Sequence, residues 1–258
     1  MRVCRIAVII LVLVVNAFAQ DPLKTLPQAY KLQFENEWVK VVRVHYAPHE
    51  KLPAHEHTPM ASAYVYLTDG GPVVFNHVDK DYGAVTRPAT KAGSFRVYRG
   101  IQEHHTVENK SDLASDFLRV EFKTDPVDEK TLRGKFFREE YPAGENFQKV
   151  QFENVQIRIT RMACAPRNKL DVDTSSGRPA LVIALSSAQM KVSQSKGGSK
   201  KVKLDLGQSR WIDGNHQEQF TNADAAPVEL LRFDFKTNPL SKEAIEQKKK
   251  HDHPKNGV

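Results

Sequence analysis

The sequence predicts an all-β protein built as two tandem β-barrels, joined by a short helical connector and followed by a helical tail. Three observations lead there. The chain repeats itself once, and each copy is a series of short β-branched or aromatic runs between turn residues. Helix signals are confined to the connector and the C-terminus. The 258 residues are 40% hydrophobic and 27% charged, which excludes wholesale disorder and collagen-like repeats. A single N-terminal segment is apolar enough to approach a bilayer, so a polytopic membrane protein is excluded as well.

That segment, residues 1–19, reads as an export signal. Arg2 and Arg5 form a basic start, Ile6 to Val15 is almost wholly aliphatic, and Ala17-Phe18-Ala19 is a small-x-small cleavage site that leaves Gln20 as the new N-terminus. The apolar run falls short of the roughly 20 residues a membrane-spanning helix needs. The expected location is periplasmic or secreted, with no stable membrane insertion after cleavage. Cys4 lies within the signal. The mature chain keeps Cys164 alone and must be stable without an intramolecular disulfide.

The first barrel is expected over 28–126, with strands at Val39–Val44, Ala63–Leu67 and Leu118–Phe122. A connector follows at 127–147, with helix expected around Asp128 to Arg138. The second barrel spans 148–239, with strands at Gln156–Ile159, Ala180–Leu185 and Val228–Phe233. In the charged tail, 240–258, Ser241 is placed to cap a helix with Glu243 early and Lys248 to Lys250 late, matching the helix dipole.

The duplication rests on matched words. Gln33-Phe34-Glu35-Asn36 recurs as Gln151-Phe152-Glu153-Asn154, Ala47-Pro48 as Ala165-Pro166, and Lys51-Leu52 as Lys169-Leu170. Phe122-Lys123-Thr124-Asp125-Pro126 returns as Phe235-Lys236-Thr237-Asn238-Pro239. The offset shrinks from 118 to 113 between these anchors, so the second copy has lost loop residues.

Removing Arg2 and Arg5 lowers the net charge from +7 to +5. Lys191, Lys196, Lys200, Lys201 and Lys203 contribute +5, so outside them the mature chain is close to neutral. No aromatic residue interleaves with them and no basic recognition helix is visible, so nucleic acid is not an expected partner. Gly197-Gly198 in their midst suggests a hairpin tip with positive φ angles, and lysines on such an edge discourage edge-to-edge aggregation.

Chemistry concentrates in the first copy. His55 and His57 are two apart in a segment leading into a strand, so both imidazoles share a face. His105, four residues before Asn109 and after a glycine-bearing turn, is placed to add a third nitrogen from across the barrel. Three imidazoles on one side of an ion leave positions open for water, dioxygen or substrate. Strand alternation turns His104 the other way. Glu103, Arg96 and Tyr98 are near the third ligand in sequence and are candidates to support it. His49, His77 and His216 stand alone and are expected at the surface, as are His251 and His253 in the tail. Cys164 is expected to be a buried structural thiol.

These residues resemble the cupin superfamily, and specifically a two-barrel bicupin. His55, Glu56 and His57, followed by the strand through Leu67 to Gly70, are similar to the first family motif. Gly93, the Arg99-Gly100 turn and His105 to Asn109 are similar to the second. The resemblance implies a divalent transition metal (Fe, Mn, Ni, Cu or Zn) held by His55, His57 and His105. It also implies an oxygenase-like or isomerase-like activity on a small oxygenated organic molecule. The alternative is a non-catalytic ligand-binding or structural module. The sequence departs from the family twice. Ala61 and Ser62 stand where the first motif carries a glutamate, which leaves the ion's charge uncancelled and favours an anionic ligand. In the second copy, Asp173, Ser175 and Glu218 or Gln219 stand where the histidines are expected, so that barrel is read as a relic.

Overall fold

Alternation along the strands decides which faces are buried and builds the fold outward from them. The computed structural model describes residues 21–78, 83–101, 103–142, 144–173, 177–194, 197–215 and 217–251. The expected export signal, Ser175, Lys196, His216 and His253 lie outside them. A four-residue helix, α1 (Pro22–Thr25), precedes β1 (Tyr30–Glu35), β2 (Val39–Tyr46), β3 (Lys51–His57), β4 (Ser62–Tyr66), β5 (Val73–His77), β6 (Ala84–Arg87), β7 (Phe95–Tyr98), β8 (Glu103–Asn109) and β9 (Ser115–Phe122). After β10 (Arg133–Phe136) come β11 (Phe147–Glu153), β12 (Ile157–Cys164), β13 (Lys169–Asp173), β14 (Ala180–Ala184), β15 (Ala188–Gln194), β16 (Ser199–Leu204), β17 (Ser209–Ile212), β18 (Gln217–Asn222) and β19 (Val228–Phe235), then α2 (Lys242–His251).

In the first barrel a six-stranded sheet, β1-β2-β9-β4-β7-β10, faces a four-stranded one, β3-β8-β5-β6. The second barrel repeats this with β11-β12-β19-β14-β17 facing β13-β18-β15-β16. The two large sheets pack against each other, so their strands are buried on both sides, as the unbroken burial of β4 and β14 shows. Between them lies the largest core, with twenty buried apolar residues; Val120 and Phe122 of β9 meet Leu231 and Phe233 of β19 there. Among the described residues the barrel interiors hold fourteen in the second and twelve in the first. Arg161 on β12, wholly buried, reaches from the second barrel to the carbonyl of Gly93 in the first.

The repeated words have repeated jobs. A bulge interrupts β1 between Leu32 and Phe34 and β11 between Val150 and Phe152. Asn36 Oδ1 accepts from the amides of Trp38 and Val39 at 2.9 and 3.0 Å, and Asn154 Oδ1 from those of Gln156 and Ile157 at 2.9 Å each. Lys123 and Lys236 each donate to the carbonyl of that asparagine at 2.6 Å. The chain repeats where its turns repeat.

Two local expectations change. Helix in the connector is limited to one 3-10 turn, Glu129–Thr131; the residues after it form β10, which extends the large sheet by pairing with β7. Phe136 stacks on Phe95 at 4.8 Å, and that contact with an open sheet edge outweighs the local helix preference. The lysine-rich segment is the expected hairpin, β15 with β16 at the sheet edge, but neither Gly197 nor Gly198 has a positive φ. In the tail, Ser241 Oγ accepts from the Ala244 amide at 3.1 Å and caps α2. No helix among the described residues is long and apolar enough to cross a membrane.

Candidate metal centre

The antiparallel ladder of β3 with β8 sets His55 directly opposite His105 and His57 opposite Glu103. A register shift between Leu52 and His55 precedes them, one extra residue on β3. The three imidazoles converge inside the first barrel. Each presents one ring nitrogen, and these lie within 4.8 Å of one another. All three side chains are buried, with ring centroids 5.0 to 5.4 Å apart. His104, across from Glu56, takes the opposite face of β8.

The donor set fits a divalent metal. Burial holds all three histidines below the ordinary imidazole value, His57 well below it and His105 down to about 3. They are neutral at pH 7, the form in which imidazole offers a lone pair. Both ring nitrogens of His105 are buried without a hydrogen-bond partner, an arrangement that is costly unless something else binds there. The Pro53 carbonyl can only accept, so His55 Nδ1, 2.9 Å away, carries the proton. His55 Nε2 is then the lone-pair nitrogen, and the Tyr30 hydroxyl donates to it at 2.7 Å.

Asn109 closes the far end of β8. Its amide donates to the carbonyls of Ala47 and Leu113, both at 2.9 Å, and this fixes the turn after β8. At the near end Gly100 is required by space: a Cβ there would lie 2.6 Å from the Pro59 carbonyl oxygen. The glycine lets the turn pass close to the loop after His57.

Glu103, expected to support the third ligand, is buried on the same face of β8 as His105. It accepts from Arg119 of β9 at 2.7 Å, and the Arg119 Nε lies 2.9 Å from Glu121. Burial pushes the Glu103 carboxyl up, but Arg119 and His105 outweigh it and hold the group below its usual range. Arg96 and Tyr98 sit on β7 across a cavity of about 300 Å³ that also touches His57, His105 and Glu103. Arg96 lies over the Tyr64 ring at 4.5 Å and over the Tyr98 ring at 5.5 Å. A second cavity, of about 330 Å³, shares Tyr30, His57 and Arg119 with the first and runs under α1.

Several residues at the site escape the motif reading. Tyr30 and Tyr46 join hydroxyls at 2.8 Å beside His55; burial raises Tyr30 well above the usual phenol value and pushes Tyr46 up to about 12. Arg87 and Arg119 are buried in the same interior. Their signal was the inward half of each strand: Tyr64 and Tyr66, and Phe117 and Arg119, alternate with aliphatic residues that face the second barrel, and Val44 and Tyr46 alternate with the less buried Arg43 and His45. His77 is corrected. It lies across β8 from His105, ring centroids 5.5 Å apart, because β5 pairs with β8 in that register.

The second barrel needs a correction too. There Val172 is opposite Glu218, as His55 is opposite His105, so Val172 and not Asp173 takes the place of His55. The extra residue on β3 shifts the count by one. The Asn222 amide repeats the role of Asn109, donating to Cys164, Ala165 and Ala226, which fixes Glu218 and not Gln219 as the counterpart of His105. Cys164 is fully buried, as expected, and burial pushes its thiol up.

No family model matches the sequence, and no curated protein matches it. Solved structures do match its fold. AerE from Microcystis aeruginosa superimposes with a TM-score of 0.54 at 12% identity, over 80% of this chain and 97% of that one. The oxalate decarboxylase of Lactobacillus farciminis, solved as a formate complex, gives 0.53 at 14% identity, over 82% and 81%. The vicilin of Solanum melongena gives 0.52 at 10% identity, over 85% and 87%. An oxalate decarboxylase and a vicilin on one architecture show that fold does not choose the activity. The shared architecture is that of the cupins, and this chain has the two-barrel cupin fold.

Proposed function

We propose that this protein is an exported, metal-binding bicupin that takes up a small oxygenated organic molecule beside a divalent transition ion. His55, His57 and His105 hold the ion in the first barrel. The observation that carries the reading is the convergence of three buried, neutral imidazoles, one of them with both nitrogens otherwise unpartnered. An ion bound there supplies Lewis acidity, and a redox-active one could also activate dioxygen.

The chain's own residues do the rest. The Pro53 carbonyl fixes the His55 tautomer, and Asn109 fixes the end of the ligand strand. The Tyr30 hydroxyl donates to His55 Nε2 and is backed by Tyr46; with that nitrogen taken by an ion, the Tyr30 proton would be free for a ligand oxygen near His55. A non-catalytic, binding-only role is favoured by one observation: Glu103, the acid facing the site from β8, is held by Arg119 and is not placed as a free base. The N-terminal leader supports export to the periplasm or beyond.

Elemental analysis of the mature protein, purified without a histidine tag or chelator, tests the reading. About one transition-metal ion per chain is expected in the wild type and under about a tenth in His57→Ala. Equal metal content in the two would remove it.

A further inference from the structure

Two arginines of the first barrel are out of balance with their surroundings. Arg87 is 4% exposed, and its Nε has no hydrogen-bond partner. Its guanidinium lies over the rings of Tyr66 and Phe117 at 5.3 and 5.1 Å and donates to the Ser115 hydroxyl at 2.6 Å. Arg96, half-buried, has a buried Nε that is also unpartnered and packs over Tyr64 and Tyr98. Neither makes an ion pair with an acid among the described residues; the buried acids nearby, Glu103 and Glu121, are both taken by Arg119. Buried guanidinium is costly without an anion.

The second barrel shows what the position asks for. Arg96 pairs with Tyr64 in the sheet as Arg210 pairs with Val182, so Arg210 is the counterpart of Arg96. Arg210 is satisfied by both oxygens of Glu218, at 2.6 and 2.9 Å. Glu218 occupies the His105 position. Where the second barrel supplies its own carboxylate, the first has a histidine and a cavity of about 300 Å³ walled by aromatic rings.

We infer that Arg96 and Arg87 form a carboxylate subsite, and that the ligand of the first barrel is a small organic acid with a flat, apolar body. The carboxylate takes the part that Glu218 plays in the second barrel, forked on Arg96 and within the field of Arg87. The body packs among Tyr64, Phe75 and Tyr98 and points its far end toward the histidines. This rests on reading the cavity as the ligand site, but the arginines do not need the ion in order to bind.

Benzoate is the probe, with benzamide as its neutral counterpart, titrated calorimetrically against the full mature chain after chelator treatment. Benzoate is expected to bind about tenfold or more tighter than benzamide, and Arg96→Met to lose that margin. Arg210→Met is expected to keep it. If Arg96→Met fails to fold, Arg96→Lys retains the charge without the fork and is expected to weaken benzoate alone. Equal affinity for benzoate and benzamide, or unchanged benzoate affinity in the folded Arg96 variant, overturns the subsite. Displacement of benzoate by equimolar chloride overturns the organic part of it. The metal reading is judged separately, by the ion content of untreated protein: loss of benzoate binding with about one ion per chain retained sinks only the subsite.

Discussion

The two barrels share their turns, register and sheet order and differ in what fills them. Position by position, the interior of the first holds Tyr46, Tyr64, Tyr66, His55 and His105 where the second holds Cys164, Val182, Ala184, Val172 and Glu218. Large polar side chains that cannot close on one another leave a cavity. Smaller aliphatic ones collapse around Phe220 and Met162 into a continuous core. The lesson concerns where a site comes from. The framework is common property, and a handful of inward-facing positions decides between a vessel and a plug.

The sharpest way to break this comparison is to give the first barrel the second barrel's choice. His105→Glu sets a carboxylate across from Arg96 as Glu218 is set across from Arg210. Loss of essentially all bound metal is expected, while Val172→Ala, at the position of His55 in the other barrel, leaves the metal content unchanged. The metal-free His105→Glu protein is expected to melt higher than metal-free wild type, since a stranded guanidinium gains a partner. Equal metal loss in the two variants would show that the barrels are not specialised as described.

The motifs made the cluster of His55, His57 and His105 legible, and alternation on β8 made His105 rather than His104 the inward one. The turns were legible because Asn36 and Asn154 do the same local work in each copy. Tyr30 and Arg119 were not, because they come from strands with no motif, and only the pairing of β1, β2, β9 and β4 brings them beside the histidines. The register of β3 was missed by one residue for a related reason: a bulge leaves no mark in a sequence that is otherwise alternating.

A second prediction works in the plugged barrel. Arg210→Met leaves Glu218, whose side chain is 3% exposed, with the Gln194 amide as a remaining partner, and the loss is expected at or below the low end of the roughly 3–5 kcal/mol that breaking a fully buried pair costs. Chemical denaturation should report that loss with metal content unchanged. Arg96→Met, the matching change in the first barrel, has no ion pair to break and is expected to cost far less. If the two variants lose the same stability, Arg96 has a partner after all.

The third and smallest effect concerns cooperativity. Because the largest core lies between the barrels, a single calorimetric transition is expected for the whole chain. A free metal concentration about a hundred times the dissociation constant should stabilise it by about 2.7 kcal/mol. Two separate transitions, with only one responding to metal, would mean that the shared core does not couple the copies.

That shared core also bears on how the chain arose. A single barrel with this large sheet would show water a broad face built from Val39, Val41, Val65, Val97 and Val120, and such a face needs a second copy to cover it. The tandem protein is then a dimer fused through its linker, with the partner held at a fixed and high effective concentration. In a dimer of identical subunits every mutation strikes both sites together, and a change that fills one cavity fills the other. A tandem chain is free of that symmetry. Here one copy closes over its own interior and serves as a wall, while the other holds a cavity and three buried histidines.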